Sequence, residues 1–339
     1  MQAFQVSAPH AFAVEDRPAP SAAPGEVVVD VAFAGICGSD MHIIHGDNAF
    51  VQFPRITGHE FAGVISAVGA GVDGGRIGER VCVDPVVACG KCYPCRIGRP
   101  NVCSAMQVIG VHRSGGFAEQ VNVPAGNAHR IPDSLDLDAA ALVEPYSIAA
   151  NVLSRMEPQP GDRLLVIGAG VIGLTVLQMA RAIGIEEVIV TDIIDERLAT
   201  ARELGASHVI NGRETDLETA VQEATAGEGI PLIADAACIP AMLPAMLRMA
   251  CPAGRIGLLG FSPTPSDLIQ LEVIKKELTL IGSRLNNRKF PEVIEHIAAG
   301  RLDPKALISH RVALGEMPSA IELLDNHPEK ARKVLVQVG

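Results

Sequence analysis

Leu164-Leu165-Val166-Ile167-Gly168-Ala169-Gly170-Val171-Ile172-Gly173 decides the architecture of this 339-residue chain. A short apolar run enters three glycines spaced two and three apart, and a helical pattern from Leu174 to Ile183 follows at once. In that context Gly168 permits the tight turn, Gly170 lets backbone approach a pyrophosphate, and Gly173 lets helix and strand pack closely. The anion then rests on the helix N-terminus, next to Ile172. Asp192 lies 22 positions past Gly170 and closes the next apolar run. A carboxylate there accepts both ribose hydroxyls of an adenosine and repels a 2′-phosphate, which favours NAD over NADP. Arg197 either flanks the adenine, compensates Asp192, or is a solvated helix residue.

Outward from this motif, Glu187–Thr191, His208–Ile210, Leu232–Asp235, Arg255–Leu259 and Leu278–Ile281 read as further strands separated by helix-length segments. The alternation predicts an α/β fold with a doubly wound parallel sheet, buried on both faces by crossover helices. Residues before about 150 differ. Gly and Pro interrupt often (Pro18, Pro20, Pro24, Gly58, Gly63) and helical periodicity is scarce, which predicts a β-rich, partly barrel-like domain. After Gly282 the pattern leaves the sheet, with helices expected at Phe290–Ala299 and Pro318–Asn326 and a last strand at Lys333–Val338. The domains expected are 151–282 for the nucleotide and 1–150 with 283–339 for the rest.

The net charge of −11 argues against nucleic acid or an anionic membrane as partner. The longest apolar stretch, Leu164 to Leu177, contains three glycines and is shorter than the about 20 residues that cross a bilayer. Glu15, Asp16 and several prolines near the N-terminus do not read as a signal peptide. A cytoplasmic protein acting on a small molecule is expected.

Four of the eight cysteines, Cys89, Cys92, Cys95 and Cys103, are spaced three, three and eight residues apart. A loop of that length closes four thiolates around one tetrahedral zinc, and in a reducing compartment metal binding is favoured over disulfides. A second set is scattered: Gly35-Ile36-Cys37-Gly38-Ser39-Asp40-Met41-His42, Gly58-His59-Glu60 and Val143-Glu144-Pro145. One thiolate, one imidazole and one carboxylate neutralise most of a zinc ion's charge and leave a position open, as a catalytic site requires.

With these motifs the chain resembles the zinc-dependent medium-chain alcohol and polyol dehydrogenases over essentially its whole length. The resemblance implies a GroES-like catalytic domain and a Rossmann NAD domain. It makes Cys37 and His59 ligands of a catalytic zinc, with Glu60 and Glu144 sharing the third position, and Cys89, Cys92, Cys95 and Cys103 the ligands of a structural zinc. It also implies a proton path from Ser39 to His42, and Asp40 as the carboxylate that orients His59. The implied reaction is alcohol oxidation with hydride transfer to NAD.

Within the family, four stretches look most like the L-gulonate and L-galactonate 5-dehydrogenases of sugar-acid catabolism: Asp84 to Cys95, Gly110 to Phe117, Glu144 to Asn151 and Gly282 to Phe290. A hexonate needs a cation for its carboxylate, for which Arg284, Lys289 and Arg113 are candidates. The alternatives are a sorbitol-like or L-threonine dehydrogenase, and a non-catalytic NAD-binding regulator. Family habit implies a homodimer or homotetramer.

Overall fold

The computed structural model describes residues 1–339, which divide into two compact units, Met1–Glu144 with Asn286–Gly339, and Pro145–Leu285. The first boundary falls inside the first turn of the helix Val143–Met156. Sequence reading had assigned those residues to a β-rich region. Pro145 is tolerated there because the first turn of a helix has no internal acceptor for its missing N–H.

The first unit is built on the long strand Glu26–Gly35. It pairs antiparallel with Glu60–Val68, with Gln120–Pro124 and with Lys333–Gln337. Register shifts at Val28/Val29 and Val31/Phe33 bend it, so that different stretches serve different neighbours. The chain's last strand thus returns to the first unit, placing Leu335 opposite Gly35. Alternate residues of these strands, with Phe4, Phe61 and Phe117, fill one core. The metal-capable side chains lie at the end of this sheet, where Gly35 and Glu60 face each other.

The second unit contains a six-stranded sheet in the order His208–Asn211, Glu187–Asp192, Arg163–Ile167, Ile230–Asp235, Ala250–Leu258, Thr279–Gly282, and every pair is parallel. All six predicted strands are present, and Ala250–Leu258 begins five residues earlier than its apolar run suggested. The order reverses beside Arg163–Ile167, and in open parallel sheets the crevice at such a reversal receives the ligand. The glycine run leaves the C-terminal end of that strand. No helix is long and apolar enough to cross a membrane.

Candidate functional site

Cys37 follows the long strand and caps the helix Gly38–His45, its N–H donating to Asp40 Oδ2 at 3.0 Å. The other oxygen of Asp40 accepts from Gly58 N at 3.1 Å. One fully buried carboxylate therefore ties together the two segments that carry Cys37 and His59. Its Oδ1 also lies 3.5 Å from His59 Nδ1, an electrostatic contact rather than a well-formed hydrogen bond. That Nδ1 is a buried polar atom without a hydrogen-bond partner.

Cys37, His59 and Glu60 converge, their ligand atoms all within 4.8 Å of one another. Gly35 makes this possible, because a Cβ there would collide with the Glu60 carboxylate. Ser39 Oγ stands 3.3 Å from His59 Nε2. Three residues further along the same short helix, on the same face, His42 is exposed. Glu144 is also buried but falls outside the converging set.

Lys333 completes the surroundings. Its Nζ donates to both Glu60 oxygens, at 2.9 and 2.8 Å, and to the Ile36 carbonyl at 3.0 Å. Sequence reading missed it, because a lysine opening an apolar strand carries no motif.

The electrostatics suit a cation. Burial opposes charge on the His59 imidazole, yet Asp40 and Cys37 outweigh it and hold the imidazole well above its ordinary range. Burial likewise opposes the Lys333 charge, and Glu60 and Cys37 outweigh it. Burial pushes the Glu144 carboxyl up to about 8; the like charge of Glu60 adds to this, while His59 and Lys333 pull it back. A thiol, an imidazole and a carboxylate in a pocket that already stabilises positive charge form a donor set that fits zinc.

The other four cysteines also converge within 4.8 Å. Cys92 Sγ is 3.4 Å from Cys95 Sγ and 3.6 Å from Cys103 Sγ, and all eight cysteines of the chain are free thiols. Four sulfurs each about 2.3 Å from one tetrahedral ion would be about 3.8 Å apart, so the lobe is close to closed around zinc. Backbone N–H groups of Cys89, Ser104 and Ala105 point at its sulfurs. Such bonds, chiefly from Cys95 and Ser104, draw the Cys92 thiol down to about 6, while burial and the neighbouring thiols push Cys95 up to about 12.

In the second unit the helix Val171–Ala182 starts at Gly170 with no side-chain cap, leaving its first N–H groups for a ligand. A Cβ on Gly170 would meet nothing within 4 Å, so that side is open, whereas one on Gly173 would collide with the Gly168 carbonyl. Ile172 lies in the first turn. Asp192 accepts from Ala169 N at 2.7 Å through one oxygen and from Ile193 N and Ile194 N, at 2.7 and 3.0 Å, through the other. Its carboxylate is thereby fixed beside the glycine run, and Arg197 Nη1 lies 3.9 Å from it.

Of the three candidate cations, Arg113 is bonded to Glu26 and Lys289 to Glu292 at 2.8 Å. Arg284 lies over the Phe261 ring, 5.4 Å from its centroid.

Two family models match the chain, "Alcohol dehydrogenase GroES-like domain" over residues 23–133 and "Zinc-binding dehydrogenase" over 171–299. The Escherichia coli K12 "Starvation-sensing protein RspB" is 46% identical over 339 residues, 99% of each chain. The "2-dehydro-3-deoxy-L-galactonate 5-dehydrogenase" of Pseudoalteromonas atlantica is 35% identical over 315 residues, 92% of each. A crystal structure of rspB from E. coli CFT073, complexed with cofactor NADH, superposes with a TM-score of 0.96 at 46% identity, covering 99% of both chains. With a GroES-like match on the unit that gathers Cys37, His59 and Glu60, and a zinc-binding dehydrogenase match that begins in the glycine run, this chain belongs to the zinc-binding, NAD-dependent medium-chain alcohol and polyol dehydrogenases.

Proposed function

We propose that the chain oxidises a secondary hydroxyl of a sugar acid, a hexonate such as L-gulonate or L-galactonate, to the keto acid, with NAD as hydride acceptor. The observation that carries this is the convergence of Cys37, His59 and Glu60 beside the Ser39 hydroxyl. Zinc bound there supplies Lewis-acid stabilisation of the charge developing on the substrate oxygen. Cys37, His59 and Glu60 hold it, with Glu144 available to exchange for Glu60, and Asp40 keeps the His59 ring oriented. Cys89, Cys92, Cys95 and Cys103 hold a structural ion. Ser39 Oγ accepts the proton of the substrate hydroxyl while passing its own toward His42, one helical turn on, which returns it to water.

The nucleotide's pyrophosphate sits on the uncapped start of Val171–Ala182, beside Gly168, Gly170, Ile172 and Gly173. Asp192 holds the adenosine ribose, with Arg197 beside it. For the acid function, the 35% identity to a galactonate-type dehydrogenase supports the substrate class. The candidate cations for the carboxylate remain Arg284, Lys289 and Arg113. Eight free thiols suit a reducing cytoplasm. We extend the proposal to a homodimer or homotetramer formed along the open edge strand Thr279–Gly282.

The test is NADH production across hexonates, pentitols, hexitols and threonine, with zinc quantified in the same sample. Hexonates should lead in kcat/KM by about tenfold or more. Faster turnover of sorbitol or threonine overturns the substrate. Absent turnover with zinc and NAD bound overturns the activity.

A further inference from the structure

The antiparallel pairing of Arg80–Val83 with Ala128–Arg130 sets His129 opposite Cys82. Asp84 N donates to the Asn127 carbonyl at 2.9 Å, which carries the same register two residues further. Residues two apart on a strand share a face, so Asp84, Asn127 and His129 stand on one side of this pair. They line a cavity of about 520 Å³ within the first unit, and Arg288 lines it from the segment before the helix Phe290–Ala298.

Each of these residues has polar atoms to spare. Asp84 Oδ1 accepts from Val86 N at 2.9 Å and from Asn286 Nδ2 at 3.1 Å, while Oδ2 accepts no hydrogen bond and no cation of the protein pairs with this half-buried carboxylate. Asn127 directs its Nδ2 hydrogens to the carbonyls of Asp84 and Val86, both at 2.8 Å, and keeps Oδ1 unused. The His129 ring is stacked on Phe290, with centroids 5.2 Å apart, and its nitrogens make no hydrogen bond. Burial, with the charge of Arg76, holds that imidazole below its ordinary range, so it is neutral at physiological pH and one ring nitrogen can accept. Arg288 is exposed, and its guanidinium has no partner in the protein.

A zwitterion complements this pattern. An ammonium has three donors and no acceptor, which matches the three unused acceptors on Asp84, Asn127 and His129. A carboxylate drawn out of water without a counter-cation gains most from receiving one. The planar fork of Arg288, at the exposed end, suits a carboxylate. Val86, Ala88 and Pro291 supply apolar wall, and the volume falls within the roughly 300–1,000 Å³ of small-molecule sites. We propose that this cavity, which reaches Cys95 of the cysteine lobe, binds a free α-amino acid with an aliphatic side chain, its ammonium on Asp84, Asn127 and His129 and its carboxylate on Arg288. None of Cys37, His59 and Glu60 lines it, so the site is separate from the reactive centre.

The experiment is isothermal titration calorimetry of the zinc- and NAD-loaded protein with L-leucine, with isocaproate, which lacks the ammonium, and with isoamylamine, which lacks the carboxylate. L-Leucine should bind with a Kd of about 1 mM or below, and each analogue about tenfold more weakly or worse. Asp84→Asn and Arg288→Ala should each weaken L-leucine by about tenfold or more. Arg288 is exposed, so its variant decides the matter even if Asp84→Asn does not fold. No binding up to about 10 mM L-leucine overturns the site. Unchanged affinity in either folded variant places the amino acid elsewhere and overturns it too, and an analogue that binds as well as L-leucine overturns the ligand class.

Discussion

Cys89, Cys92, Cys95 and Cys103 come from fifteen consecutive residues, mostly half-buried, whereas Cys37, His59 and Glu60 come from the ends of two strands and are ringed by buried charge. The lobe has four like donors and backbone N–H groups pointed at its sulfurs, so an ion bound there is saturated by protein. The other set mixes three donor types and gives Glu60 a second partner in Lys333. A hydroxyl and an exposed histidine stand next to it. The donor types and what surrounds them together separate the two centres.

The sharpest way to break the comparison is a pair of cysteine variants. Cys37→Ser should lower kcat/KM by about 10⁴-fold, or about 5–6 kcal/mol, and keep one zinc per chain in the lobe. Cys92→Ser should do the reverse, losing about 4 kcal/mol or more of stability while the protein that remains folded keeps its turnover. Metal analysis and urea unfolding on both variants decide it, and near-full activity in Cys37→Ser would erase the distinction.

Next in size is Lys333→Met. With no metal at Cys37, His59 and Glu60, removing one partner of this buried ion pair leaves the Glu60 carboxylate uncompensated at a cost of about 3–5 kcal/mol, which Lys333→Arg should largely restore. An unchanged urea midpoint would mean that Glu60 is neutral in the folded chain.

The smallest effect belongs to a pair in neither centre, Glu26 with Arg113. Burial raises the Glu26 carboxyl, but bonds from Arg113 and Asn122 outweigh it and leave it below its ordinary value. A depressed carboxyl stabilises the fold above its unfolded pKa and loses that contribution as pH falls through the folded one. Glu26→Gln should therefore cost about 0.5–1 kcal/mol at neutral pH and flatten the acid limb of the stability profile. Equal acid sensitivity in the variant would show that the pair contributes nothing.

These sites differ in how far sequence could see them. The parallel sheet was legible because each strand is a local apolar run and the turn chemistry sits beside it. The Lys289–Glu292 pair also lay open to reading, three residues apart at a helix start. Glu26 and Arg113 did not, being 87 positions apart. Cys37, His59 and Glu60 could be picked out by type and by neighbouring glycines, but their proximity is a property of how Glu26–Gly35 pairs with Glu60–Val68. The helix at Val143–Met156 was missed because Pro145 in its first turn reads as an interruption. Lys333 acts through Glu60, 273 positions away, and nothing near it in the sequence marks it.

The 273 positions between Glu60 and Lys333 also set an order of events during synthesis. A ribosome adding about 5–20 residues per second releases the cysteine loop tens of seconds before the strand bearing Lys333 emerges. The loop can capture its ion while translation continues. The counter-charge of the reactive centre arrives only with the strand Lys333–Gln337, so that centre matures well after the lobe.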